Sequence, residues 1–141
     1  MSLRFGEDWR FNVISMTDTV SLTLAKRRSE ILAELSAAAD PAPVLVAVSK
    51  TQPDEKLEAM LATGQRVFGE NKVQEAQAHW VERRADYPDL ELRLIGPLQT
   101  NKSEDAVALF DVIETVDGTP ITAFAELKEI VEASDGRVLA D

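Results

Sequence analysis

The 141-residue sequence contains no cysteine and a single histidine. The first absence excludes a disulfide framework and a thiolate metal site, and the second argues against a His-rich metal centre. Basic residues are also scarce, with 15 Lys and Arg against 25 Asp and Glu, leaving a formal net charge of -10. A nucleic-acid backbone needs a basic footprint, so that class of partner is set aside. A small anionic ligand stays open, because local donors and helix N-termini can hold one whatever the global field. No apolar run reaches the length of a membrane span, and the N-terminus lacks the basic-then-apolar pattern of a signal peptide. The expectation is a cytoplasmic protein without a membrane partner. What is present is ordinary for one domain with a modest core: 45% hydrophobic and 28% charged residues, without a biased tract.

Residues 1–17 show no clear period and read as an arm, with Met16 an equally good first residue. From Asp18 to Ala39 the pattern is helical: Leu24, Ile31, Leu32 and Leu35 share one face, while Lys26, Arg27, Glu30 and Glu34 lie opposite. Asp40-Pro41-Ala42-Pro43 ends that helix. Val44 to Val48 is a continuous apolar run, the signature of a strand buried on both faces of a parallel sheet. Pro53 with Asp54 and Glu55 opens a second helix with Leu57, Met60 and Leu61 inward, and Gly64 closes it.

The same grammar repeats. Arg66 to Phe68 predicts a strand that ends at Gly69-Glu70-Asn71. Asn71 with Gln74 suggests a cap for a helix whose inner stripe is Val73, Ala76 and Trp80. Leu90 to Ile95 is a third strand, Asn101 with Glu104 a cap for a third helix, and Val112 to Val116 a fourth strand. Strand-helix alternation at roughly 20–25 residues per unit predicts right-handed βα units on a parallel sheet. Pattern alone does not choose between an open sheet and a barrel, but no G-x-G-x-x-G follows the first strand, so nothing favours a dinucleotide fold.

In a βα barrel the ligand-binding residues sit at the C-terminal ends of the strands. Those ends carry Lys50, then Glu70-Asn71, then Gly96 to Asn101, then Glu114 to Asp117. Lys50 directly follows an apolar strand. At a dehydrated mouth its ammonium would lose its proton more readily, and the neutral amine could attack an aldehyde. The bland alternative is a lysine that reaches out to solvent. His79 reads as a solvated side chain on a polar helix face, Trp80 as a packing residue and Trp9 as a loose aromatic.

Three motifs decide between these readings: Val46-Ala47-Val48-Ser49-Lys50-Thr51, Phe68-Gly69-Glu70-Asn71-x-Val73-Gln74-Glu75, and Ile95-Gly96-Pro97-Leu98-Gln99-x-Asn101-Lys102. In this order and spacing they closely resemble the pyridoxal phosphate homeostasis protein family, over roughly Val20 to Asp117. The resemblance implies an α/β fold, a TIM-type (β/α) barrel related to the N-terminal domain of alanine racemase. It implies pyridoxal 5'-phosphate as cofactor, held by Lys50 as a Schiff base with Asn71 close by. Asn101 and Lys102 match the third motif without an evident role. The family is regarded as a cofactor carrier or buffer without robust turnover, so racemase-like activity is not expected.

A complete barrel needs about 200 residues or more. The expectation is therefore a partial barrel of about four βα units behind an N-terminal helix, occupying 18–116. Its phosphate-gripping loops, usually those after strands seven and eight, would be missing. Each charge-assisted hydrogen bond lost there is worth roughly 1.5–3 kcal/mol, so cofactor retention would be impaired. Residues 117–141 depart from the family. Val116-Asp117-Gly118-Thr119-Pro120-Ile121 and the following apolar stripe (Phe124, Leu127, Ile130, Val131) resemble part of a PDZ domain, or else a chance turn before an amphipathic helix. Open sheet edges would invite self-association. The competing reading is a non-catalytic hybrid α/β fragment that holds no cofactor and acts only through protein contacts.

Overall fold

The computed structural model describes residues 16–114, 129 and 131–133. Residues 1–15 of the expected arm and most of the expected PDZ-like tail lie outside the described residues. Within the tail, residues 129 and 131–133 are helical. The element order is α1 (Met16–Ala38), β1 (Ala47–Val48), α2 (Asp54–Ala62), β2 (Val67–Glu70), α3 (Val73–Trp80), a single turn α4 (Arg83–Asp86), β3 (Glu91–Leu94), a 3-10 turn (Thr100–Lys102), α5 (Ser103–Leu109) and β4 (Val112–Ile113). The described residues fall into two compact units, one drawn from Met1–Leu45 with Gln52–Gln65, the other from Val46–Thr51 with Arg66–Asp141.

The first unit is a helix pair, α1 against α2. Pro53 stands at the N-cap of α2, and Asp54 and Glu55 fill its first turn, where carboxylates complement the helix dipole. Thr63 caps the other end and Gly64 follows at φ +94°, a left-handed position that glycine takes without a Cβ penalty. Leu57, Ala59 and Leu61 are buried on α2. Arg28 reaches from α1 to the turn after α2, donating to the Gln65 side-chain oxygen at 2.9 Å and the Thr63 carbonyl at 3.1 Å. The buried Gln65 in turn donates to the Leu45 carbonyl at 2.8 Å. Of the face expected for α1, Ile31 is exposed.

The second unit is a four-stranded parallel sheet in the order β1-β2-β3-β4. Each strand pairs with the next in sequence: Val48 with Gly69, Phe68 with Leu92, Glu70 with Leu94, and Leu94 with Ile113. This sequential order contains no reversal, so the described strands have no topological switch point of the doubly wound kind. The central strands supply Phe68, Leu92 and Leu94, and α3 supplies Val73, Ala76 and Trp80, all buried. Phe68 and Trp80 rings meet at a centroid distance of 4.5 Å and a tilt of 41°. Leu98, Ala106, Leu109 and Phe110 complete the apolar interior.

Several expectations change. The run from Val44 to Val48 is a strand only at Ala47–Val48, with Val44 64% and Val48 49% exposed. Among the described strands it pairs with β2 alone, so no described strand covers its second side. Conversely β2 extends through Gly69 and Glu70 instead of stopping at Phe68, because both residues pair with β3. Asn71 does not cap α3: Lys72 holds the N-cap position and makes no side-chain cap bond. Asn101 does not cap α5 either, since it lies inside the 3-10 turn and Lys102 precedes the helix.

Candidate functional site

Because the strands are parallel, their C-terminal ends share one rim of the sheet. Lys50 lies two residues beyond Val48 and Asn71 two beyond Gly69, its register partner, so the two come side by side after β1 and β2. The backbone after β3 joins them closely: Ile95 N–H donates to the Glu70 carbonyl at 2.9 Å, and a Cβ on Gly96 would stand 2.4 Å from the Asn71 carbonyl oxygen. Only a residue without a side chain permits that approach. Asn71 and Gly96 thus meet closely, with Lys50 on the neighbouring strand end.

Lys50 is exposed and sits in the turn Ser49-Lys50-Thr51. This corrects the expectation of a dehydrated lysine: a two-residue edge strand does not enclose the residue that follows it. Asn71 is half-buried. Asn101 is exposed, and the half-buried Lys102 lies 3.9 Å from the Asp105 carboxylate, one turn along in sequence. Glu114, at the end of β4, accepts a 2.9 Å bond from Arg93. That partner is the main cause holding the Arg93 guanidinium above its ordinary pKa, against the lowering effect of burial.

The polar centre of this rim is a residue whose weight the sequence did not reveal. Glu70 is fully buried, and its Oε1 accepts from Ser49 Oγ at 2.7 Å, His79 Nδ1 at 2.8 Å and Trp80 Nε1 at 3.0 Å. Its Oε2 has no hydrogen-bond partner among the described residues. Glu70 therefore ties the turn after β1 to α3 through one oxygen. His79 is correspondingly not a solvated side chain, being only 13% exposed and bonded to Glu70. The spacing of Glu70, His79 and Trp80 carries the signal in hindsight: nine and ten residues on, past a turn and one helix, two ring N–H groups return to the strand. A second carboxylate, Glu75, accepts the Thr51 backbone N–H. Thr51 itself has φ +59°, left-handed for a β-branched residue.

Chemically, the neighbouring strand ends carry a primary amine and a carboxamide. That donor set suits an aldehyde-bearing ligand with polar substituents, the amine supplying reversible covalent attachment and the amide hydrogen bonds.

No family model matches the chain. Among curated proteins it is similar to the pyridoxal phosphate homeostasis protein of Vibrio alginolyticus, 43% identical over 79 residues, covering 55% of this chain and 34% of that protein. It is likewise similar to the protein of that name from Pseudomonas aeruginosa, 41% identical over 101 residues, covering 70% of this chain and 43% of the relative. Among solved structures, PipY of Synechococcus elongatus, in a form with PLP bound, superposes with a TM-score of 0.66 at 40% identity, over 79% of this chain and 50% of PipY. The chain spans less than half the length of these curated relatives. Both sequence and structure comparisons thus support the resemblance to the pyridoxal phosphate homeostasis family that the three motifs carry.

Proposed function

We propose that this protein binds pyridoxal 5'-phosphate and serves its homeostasis, with Lys50 as the covalent anchor through a Schiff base and Asn71 as a neighbouring polar contact. The observation that carries this reading is the register of β1 on β2, which sets Lys50 beside Asn71 at one rim of the sheet. The similarity to PipY, whose structure holds PLP, supports the identity of the ligand. When bound, the cofactor contributes a reactive aldehyde carbon. Lys50 would supply the amine that condenses reversibly with such a carbon as water leaves, chemistry suited to storage and release.

The fold belongs to the same proposal. Four strands in sequential order fit an arc of a (β/α) barrel, with 18–116 as its first part and 117–141 as a segment of different character. No described helix is long and apolar enough to cross a membrane. Cytoplasmic residence is part of the reading.

The test is to add pyridoxal phosphate, reduce with borohydride and map the adduct by mass spectrometry. Selective modification at Lys50, lost in Lys50→Ala with the fold intact, is the expected result. Scattered labelling of surface lysines, or none, overturns the reading and leaves the alternative, an α/β module that acts only through protein contacts.

A further inference from the structure

Two of the three motifs meet around a single turn. Ser49 and Thr51 flank Lys50, and each is held by a carboxylate from the second motif. On one side Ser49 Oγ donates to Glu70 Oε1 at 2.7 Å while Ser49 N–H donates to the Gly69 carbonyl at 3.0 Å. On the other side the Thr51 N–H donates to the Glu75 carboxylate. Neither acceptor is loosely placed. Glu70 is fully buried and fastened by Trp80 Nε1 and His79 Nδ1, and Glu75 lies in the first turn of α3.

The backbone between them is in a conformation that needs support. Thr51 adopts φ +59°, sparsely populated for a β-branched residue, and such strain persists only where the surroundings over-determine it. The amide that Glu75 holds is that of the strained residue. A lysine side chain is long and flexible, so the reach of its amine is defined only as well as its Cα is. Reaction rates fall steeply when an attacking atom is displaced from its productive geometry.

We propose that Glu70 and Glu75 are positioning residues which preset the Ser49-Lys50-Thr51 turn and so aim the Lys50 amine. The two motifs are then two halves of one device: the first supplies the amine and the second clamps the peptide groups on either side of it. The inference rests on Lys50 being the cofactor anchor. It goes further in giving the second motif a task that needs no contact with the cofactor.

Glu75 is the residue to test, because it is partly exposed whereas Glu70 is fully buried. Because its carboxylate lies within 4.8 Å of Glu70 and His79, the melting temperature is followed as a control. In the full chain, Glu75→Ala is compared with Glu75→Gln, which retains a side-chain oxygen acceptor. The first readout is amide hydrogen exchange at Thr51 by NMR without cofactor, expected to accelerate about tenfold in Glu75→Ala and to be largely restored in Glu75→Gln. The second is the initial rate of borohydride-trapped labelling at Lys50 with limiting pyridoxal phosphate. It should fall by about tenfold in Glu75→Ala and recover in Glu75→Gln, while the melting temperature stays within a few degrees of the parent. Unchanged exchange at Thr51, or unchanged labelling despite faster exchange, overturns the proposal. So does slower labelling that merely tracks a fall in melting temperature and is not rescued by glutamine. If the parent itself is not labelled at Lys50, the anchor reading fails and the aiming of its amine with it, whereas the exchange data still decide whether Glu75 holds the turn.

Discussion

Replacing Glu70 by alanine would strip the acceptor from three donors at once. Ser49 has a fallback in the Gly69 carbonyl, already 3.3 Å from its Oγ. His79 is 13% exposed and can turn to water. Trp80 is wholly buried, so its Nε1 would be left without a partner and costs about 1–3 kcal/mol. Truncating a fully buried side chain also leaves a cavity, which adds about 2 kcal/mol and brings the total to about 3–5 kcal/mol. That is a large fraction of the 5–15 kcal/mol typical of a domain. With a urea m-value near 1.5 kcal/mol/M, the midpoint should fall by about 2–3 M. Glu70→Gln should cost less, about 1–2 kcal/mol, because its amide oxygen can take the place of Oε1 while its NH2 lies where no partner waits. Urea titration followed by far-ultraviolet circular dichroism measures both. A Glu70→Ala protein within 1 kcal/mol of the parent would refute the claim that this carboxylate organises the rim. Trp80→Phe, which keeps a ring and removes the donor, closes a double-mutant cycle whose coupling should exceed about 0.5 kcal/mol.

The remaining predictions concern packing and edges. Leu92→Ala, at a fully buried site in β3, should cost about 2–5 kcal/mol by thermal or urea unfolding. Gly96→Ala should destabilise more than Gly69→Ala, since its Cβ meets the Asn71 backbone at 2.4 Å whereas the latter meets the movable tip of Ile95 at 2.9 Å. A reversed order by the same measurement would count against the close approach of the strand ends. Lys50→Ala should leave stability within about 0.5 kcal/mol, as expected for an exposed turn residue. If copies pair through the β1 edge, sedimentation should show a mass that rises with concentration, and Val48→Lys should abolish the rise.

The sequence made the βα alternation legible because each strand carries its own apolar run and each helix its own stripe. Val73, Ala76 and Trp80 are buried as their spacing foretold. It also located Lys50 and Asn71 at strand ends, since Gly and Pro punctuate those ends. What it hid was anything requiring knowledge of which polar groups meet. Glu70 next to Asn71 looks like one more polar residue at a mouth, and His79 like one more on a wet helix. Only the return of α3 onto β2 turns both inward. Cap positions were misread for a related reason: Asn71 and Asn101 have suitable side chains, yet the backbone enters each helix one residue later, through a lysine. The exposure of β1 was equally invisible, because a continuous apolar run does not state how many neighbours the strand will have.

The strand order has a consequence for how the fold can be made. Every strand pairs with its successor, about twenty residues further along, so each ladder closes a loop of modest entropy. Among the described residues, no ladder waits for a distant segment of chain. Contacts of such short range favour fast assembly, and during synthesis the sheet can be laid down in the order in which the strands leave the ribosome. Lys50 would then emerge first, and its turn would stay unclamped until the next strand and helix, carrying Glu70 and Glu75, had followed.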